Sequence, residues 1–103
     1  MSVKLLLSLV VCGFFALHSA LIKAADLDAG KELYERFCAR CHGTDGRSGL
    51  PQAADLAGGR KLLRSDRQLR ERIEAGKGLC PSYRGLMQPR GFDNLISYIR
   101  TLR

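Results

Sequence analysis

The longest apolar stretch of the chain lies near its start, from Leu5 to Leu17, directly after a short basic segment that ends at Lys4. The small residues that follow offer candidate cleavage positions: Ala20, Ala24 and Ala25. An apolar run of this length between such flanks is typical of a secretory signal peptide and is too short to span a bilayer comfortably. We therefore predict that residues 1–24 direct export, that residues 25–103 form one domain, and that no stable membrane insertion follows cleavage. A retained membrane anchor is the alternative interpretation.

After this run, apolar residues recur at helical spacing. Asp26 or Asp28 provides a cap for a first helix that runs to Cys38, and its predicted inner face consists of Gly30, Leu33, Tyr34, Phe37 and Cys41. Glycine within a helix costs stability, so Gly30 on this face predicts that another backbone approaches closely there.

A second helix is indicated by Ser65, because Gln68 follows at the spacing of a capping box. Leu69 and Ile73 form the apolar stripe of this helix, and Gly76 is its expected end.

A last helix is expected to begin at Gln88 and Pro89, since proline favours the first helical position. Its predicted inner face consists of Phe92, Leu95, Ile96, Ile99 and Leu102, with Tyr98 beside them. The segment from Gly43 to Pro51 is a loop by composition. The predicted fold is therefore all-α, with three main helices and long loops around a large cofactor that covers them.

The segment Cys38-Ala39-Arg40-Cys41-His42 contains the C-x-x-C-H pattern by which c-type haem is attached. Two thiols at this spacing form thioethers with the haem vinyl groups, and the adjacent His42 becomes the proximal iron ligand. A zinc site would need a second ligand pair, but only Cys80 remains downstream. A thioredoxin-like redox pair would need a βαβ context, which the sequence lacks. We therefore predict one covalently bound haem c.

Cysteine count and charge extend this prediction. Cys12 and His18 leave with the signal peptide, so His42 is the only histidine of the mature chain and Cys80 is an unpaired cysteine. A domain this small needs an additional source of stability, which a buried haem provides. Loss of Lys4 and Lys23 lowers the formal net charge from +7 to +5.

The basic charge favours an acidic redox partner, because no nucleic-acid-binding motif accompanies it. Basic residues crowd the second half of the chain: Arg60, Lys61, Arg64, Arg67, Arg70, Arg72, Lys77, Arg84 and Arg90. They are interpreted either as a solvated face or as a docking patch, with one or two arginines pairing with the haem propionates.

On these residues the mature chain resembles the class I mono-haem c-type cytochromes. The resemblance is carried by the haem motif with Gly43, by Asp45-Gly46, Asp55-Leu56-Ala57-Gly58 and Gly76-Lys77-Gly78, and by the two terminal helices. It implies that Gly30 and Tyr34 on the first helix cross the last helix at Leu95 and Tyr98. It also implies that the carbonyl of Pro51 accepts a hydrogen bond from the imidazole of His42, which would orient the ring.

The resemblance also locates the sixth iron ligand. Relatives carry methionine between a Gly-x-Gly segment and a proline, and here that position is Cys80, followed by Pro81. Aligning Cys80 as the distal ligand keeps the neighbouring glycines, proline and aromatic in register. Met87 is the alternative distal ligand; water, an open position or a lysine are further possibilities.

The predicted function is one-electron transfer by an exported, periplasmic protein, with a low potential if a cysteine thiolate binds the iron. Two alternatives are a haem subunit of a thiosulfate-type sulfur-oxidising enzyme and a haem-based gas sensor. The sequence favours an electron carrier over an enzyme, because the chain is too short to build a large substrate pocket alone.

Overall fold

The computed structural model describes residue 3 and residues 24–103, and these residues form a helical fold. Within residues 24–103, four α-helices follow one another: α1 (Leu27–Phe37), α2 (Ala39–His42), α3 (Asp66–Ala75) and α4 (Pro89–Ile99), with a 3₁₀ turn at Arg60–Leu63 before α3. The predicted all-α fold with three main helices is confirmed. Within the described residues, the β structure is limited to one isolated bridge between Lys77 and Cys80.

No helix in the described part of the chain combines the length and apolar character needed to cross a membrane. The predicted signal peptide, with Cys12 and His18, lies outside the described residues except for residues 3 and 24.

Helix α1 is capped by Asp26, one of the two predicted residues. The Asp26 carboxylate accepts a hydrogen bond from the backbone N–H of Ala29 at 3.0 Å, and this satisfies a donor that the helix leaves free. The backbone N–H of Asp26 donates to the side chain of Asn94 on α4 at 2.9 Å. The same cap therefore starts α1 and joins it to the last helix.

The predicted close approach at Gly30 occurs where α1 crosses α4. A Cβ atom at Gly30 would overlap the backbone carbonyl of Asn94 and would lie 3.0 Å from the Cβ of Tyr98. One turn later, the rings of Tyr34 and Tyr98 meet with centroids 5.5 Å apart. Gly30 is therefore required by contact between two backbones, in agreement with the predicted helix crossing.

The core lies between these two helices and the segment that precedes α4. Its buried side chains are Tyr34, Tyr83, Met87, Phe92, Leu95 and Ile99. Leu102, which was predicted on the inner face of the last helix, lies after the end of α4 and packs against this core.

Helix α3 begins as predicted, because Ser65 and Gln68 form both hydrogen bonds of a capping box. Two arginines attach the helix to α4. Arg70 contacts Asp93 at 3.2 Å and lies over the ring of Phe92. Arg100 contacts Asp66 at 2.7 Å and donates to the carbonyls of Leu62 and Arg64. These bonds define how the loop before α3 lies against the last helix.

Candidate functional site

The predicted haem-attachment residues lie at the break between α1 and α2. Cys38 ends α1 and precedes α2, and its carbonyl accepts hydrogen bonds from the N–H groups of Cys41 at 3.1 Å and His42 at 2.9 Å. One helical turn thus carries two thiols and an imidazole, since residues three and four apart share a helix face.

The imidazole of His42 is oriented by the loop that follows. Its Nδ1 lies 2.7 Å from the carbonyl oxygen of Ala54, and with the ring proton on Nδ1 this is a hydrogen bond that Nδ1 donates. The lone pair is then on Nε2, the nitrogen free to bind a metal. A carbonyl partner of this kind also strengthens the imidazole as a ligand.

The prediction that Pro51 provides this carbonyl is wrong, because the acceptor is Ala54. The chain turns directly after Leu50, where the N–H of Ala53 donates to the carbonyl of Leu50 at 3.1 Å. This turn carries the backbone past Pro51 and brings Ala54 to the histidine. Sequence reasoning had no means of finding Ala54, because any residue type supplies a backbone carbonyl.

Two further hydrogen bonds hold the backbone of the motif. Tyr34 is fully buried, and its hydroxyl donates to the carbonyl of Gly43, directly after the histidine, at 2.7 Å. The hydroxyl of Ser48 donates to the carbonyl of Cys41 at 2.8 Å. Tyr34 was predicted to act through its ring at the helix crossing. Its hydroxyl group has a second role, because it holds the backbone directly after His42.

A third sulfur lies close to the first two. The pKa of the Cys38 thiol is raised to about 12, first by burial and then by the nearby thiols of Cys80 and Cys41. Cys80 is half-buried and packs against the same core as Cys38. Its Sγ has one weak contact, 3.8 Å to the carbonyl of Pro81. The fold thus brings Cys80 to the attachment motif from a segment about forty residues away.

The second sulfur candidate, Met87, is a member of the core. It is 9% exposed and packs with the buried residues between α1 and α4. Its surroundings agree with the role of an apolar core residue just before the last helix.

These side chains fit a haem better than a bare metal ion. Among the described residues there is no group of three or more His, Cys, Asp and Glu that could hold a metal ion. Two thiols and one imidazole on a single helical turn instead suit a group that supplies its own nitrogen ligands and needs covalent attachment. When bound, such a group supplies a one-electron iron couple.

The helical fold, the attachment motif and the oriented histidine together define a class I mono-haem c-type cytochrome. Residues 25–99 match the model of the family described as cytochrome c oxidase, cbb3-type, subunit III, and the chain belongs to this cytochrome c family. It is also similar to cytochrome c6 of Gracilaria tenuistipitata var. liui, with 25% identity over 93 residues, which cover 87% of this chain and 85% of the relative. The protein thus binds haem c covalently and transfers electrons to and from redox partner proteins.

The basic residues of the second half of the chain differ in their contacts. Arg70 is engaged with Glu74, Asp93 and the carbonyl of Pro89, and Arg67 pairs with Glu71 at 3.1 Å. Four others make no ion pair within the described residues: Arg64, Arg72, Lys77 and Arg84. The side chains of Arg60 and Lys61 lie outside the described part of the structure.

Proposed function

We propose that this protein is an exported electron carrier of the periplasm in which Cys38 and Cys41 attach the haem, His42 is the proximal ligand and Cys80 is the distal ligand. The observation that carries the proposal is the position of the third sulfur: Cys80 packs, together with Cys38, against the core between α1 and α4. The hydrogen bond from His42 to Ala54 supports the proximal assignment, because it leaves Nε2 free.

The different surroundings of the two sulfur candidates favour Cys80 over Met87. Cys80 is half-buried, and its thiol donates one weak hydrogen bond, so binding iron would break little hydrogen bonding. Met87 is 9% exposed within the core, and moving its side chain to an iron would leave a cavity there.

Thiolate ligation would determine what the carrier can do. An anionic ligand stabilises ferric iron and lowers the reduction potential, within a range of about 0.8 V that axial ligands can set. For a one-electron couple, about 59 mV corresponds to a tenfold change in equilibrium. Such a carrier would exchange electrons with partners of low potential.

The signal peptide and the net charge indicate where the protein works and what kind of partner it meets. Removal of residues 1–24 as a signal peptide would place the protein in the periplasm, where haem c is attached in an exported chain. The remaining formal charge of +5 favours a redox partner with an acidic docking face, because opposite charges increase the rate of encounter.

The test is the optical and electron paramagnetic resonance spectra of the purified oxidised protein, together with its reduction potential. A low-spin spectrum with thiolate character and a low potential are expected. A far-red sulfur-to-iron band of the methionine-ligated type would contradict Cys80 ligation. Ready binding of carbon monoxide by the reduced protein, with release of the distal ligand, would instead indicate a gas sensor.

A further inference from the structure

The carbonyl that orients His42 belongs to a residue whose side chain cannot fix its direction. Ala54 accepts the hydrogen bond from Nδ1 of His42 at 2.7 Å, but the methyl group of alanine makes no hydrogen bond of its own. This carbonyl is part of the peptide plane that joins Ala54 to Asp55, and the backbone dihedrals on either side of such a plane rotate easily. The direction of the carbonyl therefore depends on what holds the neighbouring residues.

Asp55, on the other side of this peptide plane, is held by its own side chain. Its carboxylate accepts a hydrogen bond from the backbone N–H of Ser48 at 2.6 Å. A hydrogen bond to a carboxylate is stronger than one between two neutral groups. The bond thus limits the rotation of the peptide between Ala54 and Asp55, whose carbonyl accepts from His42.

Ser48 is also attached to the donor side of the same bond. Its hydroxyl donates to the carbonyl of Cys41 at 2.8 Å, the nearer of the two carbonyl oxygens within its reach, and Cys41 directly precedes His42. Ser48 therefore joins the residue before the donor to the residue after the acceptor. We call this set of two hydrogen bonds the Ser48 bridge (Cys41, Ser48 and Asp55).

The backbone on either side of the acceptor peptide has anchors of its own. The carbonyl of Gly46 accepts a hydrogen bond from the N–H of Leu56 at 2.6 Å, and the turn after Leu50 holds the chain before the peptide. These bonds place the loop beside His42. Asp55 is the residue of the acceptor peptide whose side chain can also set the rotation of that peptide.

A second aspartate in the same loop provides an internal comparison. Asp45 is exposed, as Asp55 is, and its carboxylate accepts a hydrogen bond from the backbone N–H of Arg47 at 3.0 Å. This bond joins residues two apart in sequence and involves neither Cys41 nor the acceptor peptide. Loss of the Asp45 side chain would therefore remove the same charge and the same kind of hydrogen bond, and would leave the Ser48 bridge intact.

We propose that Ser48 and Asp55 are positioning residues for His42, and that the bridge they form tunes the reduction potential of the iron. The inference rests on the proposed role of His42 as the proximal ligand. A carbonyl aligned with Nδ1 makes the imidazole a stronger ligand, and a stronger donor stabilises ferric iron. Loss of the bridge should therefore weaken the bond between His42 and Ala54 and shift the redox equilibrium toward ferrous iron.

Redox titration of the holoprotein tests the contribution of Asp55 with Asp55→Ala and Asp55→Asn. Alanine removes the acceptor, whereas asparagine keeps an oxygen that accepts from the Ser48 N–H but has no charge. We expect Asp55→Ala to shift the equilibrium about three- to tenfold toward the ferrous form, and a tenfold shift corresponds to about 59 mV. Asp55→Asn should restore most of the wild-type value. Asp45→Ala is the matched control and should leave the equilibrium nearly unchanged.

Solvent exchange of the Nδ1 proton of His42, measured by NMR of the reduced holoprotein, tests the position of the carbonyl directly. We expect exchange about tenfold faster or more in Asp55→Ala than in the wild type or in Asp45→Ala, because local opening exposes the proton. Ser48→Ala keeps the N–H that donates to Asp55 but loses the hydroxyl bond to Cys41, so a smaller increase is expected. Ser48→Thr keeps a hydroxyl and should resemble the wild type.

Three results would contradict these assignments. Equal potential shifts in Asp55→Ala and either Asp55→Asn or Asp45→Ala would show that the lost charge acts on the iron, and would overturn positioning by the bridge. Unchanged Nδ1 exchange in Asp55→Ala or in Ser48→Ala would show that the carbonyl is held without the bridge, and Ser48→Ala decides this even if Asp55→Ala does not fold. A wild-type holoprotein in which no His42 resonance is shifted by the haem would instead contradict proximal ligation by His42, and with it the proposed function.

Discussion

The His42 side of the site is held by hydrogen bonds between residues close in sequence, whereas the Cys80 side depends on contacts between distant residues. Tyr34 bonds to Gly43, Cys41 to Ser48 and His42 to Ala54, so no pair is more than twelve residues apart. On the other side, Tyr83 reaches Phe37 across forty-six residues. One side is assembled locally, and the other requires the complete fold.

The two sides therefore differ in how well they tolerate substitution. The His42 side couples the attachment thiols, the imidazole and the loop in a short stretch of chain, so a substitution there disturbs several bonds together. On the Cys80 side, the turn from Lys77 to Cys80 is formed by backbone hydrogen bonds, and the thiol of Cys80 makes one weak hydrogen bond. Cys80 can therefore be replaced without loss of the fold, and if it is the distal ligand, the reduction potential changes with it.

The largest effect is expected from breaking the helix crossing that brings the two sides together. Gly30→Ala would force α1 away from the carbonyl of Asn94, and we expect a loss of about 3 kcal/mol in the free energy of unfolding. The measurement is guanidinium denaturation of the holoprotein.

Gly91→Ala is the matched control for this prediction. A Cβ at Gly91 would make only ordinary contacts, 3.4 Å to Met87 and 3.5 Å to Leu33. Helix propensity should then stabilise the protein by about 0.5–1 kcal/mol. Equal effects of the two substitutions would show that the crossing does not require glycine.

The second-largest effect is expected on the reduction potential of the iron when Cys80 is replaced. We expect Cys80→Met to raise the reduction potential by several tenths of a volt, a large part of the ~0.8 V range set by axial ligands, because a neutral thioether replaces an anionic thiolate. The stability should change little. Met87→Leu keeps the core volume and should leave the potential unchanged, as measured by redox titration. A shifted potential in Met87→Leu and an unchanged one in Cys80→Met would reverse the assignment.

Sequence reasoning was most successful where residue type alone determines the structure. The caps at Asp26 and Ser65 and the crossing at Gly30 were all predicted, since each depends on a particular side chain or on the lack of one. Proline at the start of α4 was also correct. The main helices followed from these local preferences.

Prediction from the sequence failed where a backbone group, and not a side chain, makes the hydrogen bond. The acceptor for His42 is a carbonyl, and the turn after Leu50 brings Ala54 rather than Pro51 to that position. The proximity of Cys80 to Cys38 arises from packing between distant segments, so it was inferred from resemblance and not from the local pattern. Which arginines are engaged likewise depended on tertiary contacts, as Arg70 and Arg100 demonstrate.

A smaller effect is expected on the His42 side from removal of one hydroxyl. Tyr34→Phe would leave the carbonyl of Gly43 without its donor, and we expect the free energy of unfolding to fall by about 1–2 kcal/mol at pH 8.

The contribution of the Tyr34 hydroxyl should also depend on pH, because burial raises the pKa of Tyr34 to about 12 from 10.0. The folded state thus holds this proton more tightly, and the stability that Tyr34 contributes is present below pH 10 and lost as the pH rises toward 12. Denaturation at pH 8, 10 and 11.5 should show the difference between wild type and variant shrinking. A constant difference would contradict this pH dependence.

The smallest effect is expected from the corresponding change on the Cys80 side, Tyr83→Phe. It removes the bond to the carbonyl of Phe37 but keeps the edge-on contact between the rings, so we expect a loss of about 1 kcal/mol. The more informative measurement is hydrogen exchange of the Cys80 and Leu86 amides. Their hydrogen bonds to the carbonyls of Lys77 and Tyr83 close two tight turns on this side of the site. Faster exchange there, with unchanged exchange at His42, would show that Tyr83 anchors only the Cys80 side. Local opening speeds the exchange of amides in one region only, whereas global opening speeds it throughout the protein. Equally faster exchange at Cys80, Leu86 and His42 would therefore mean that the two sides open together.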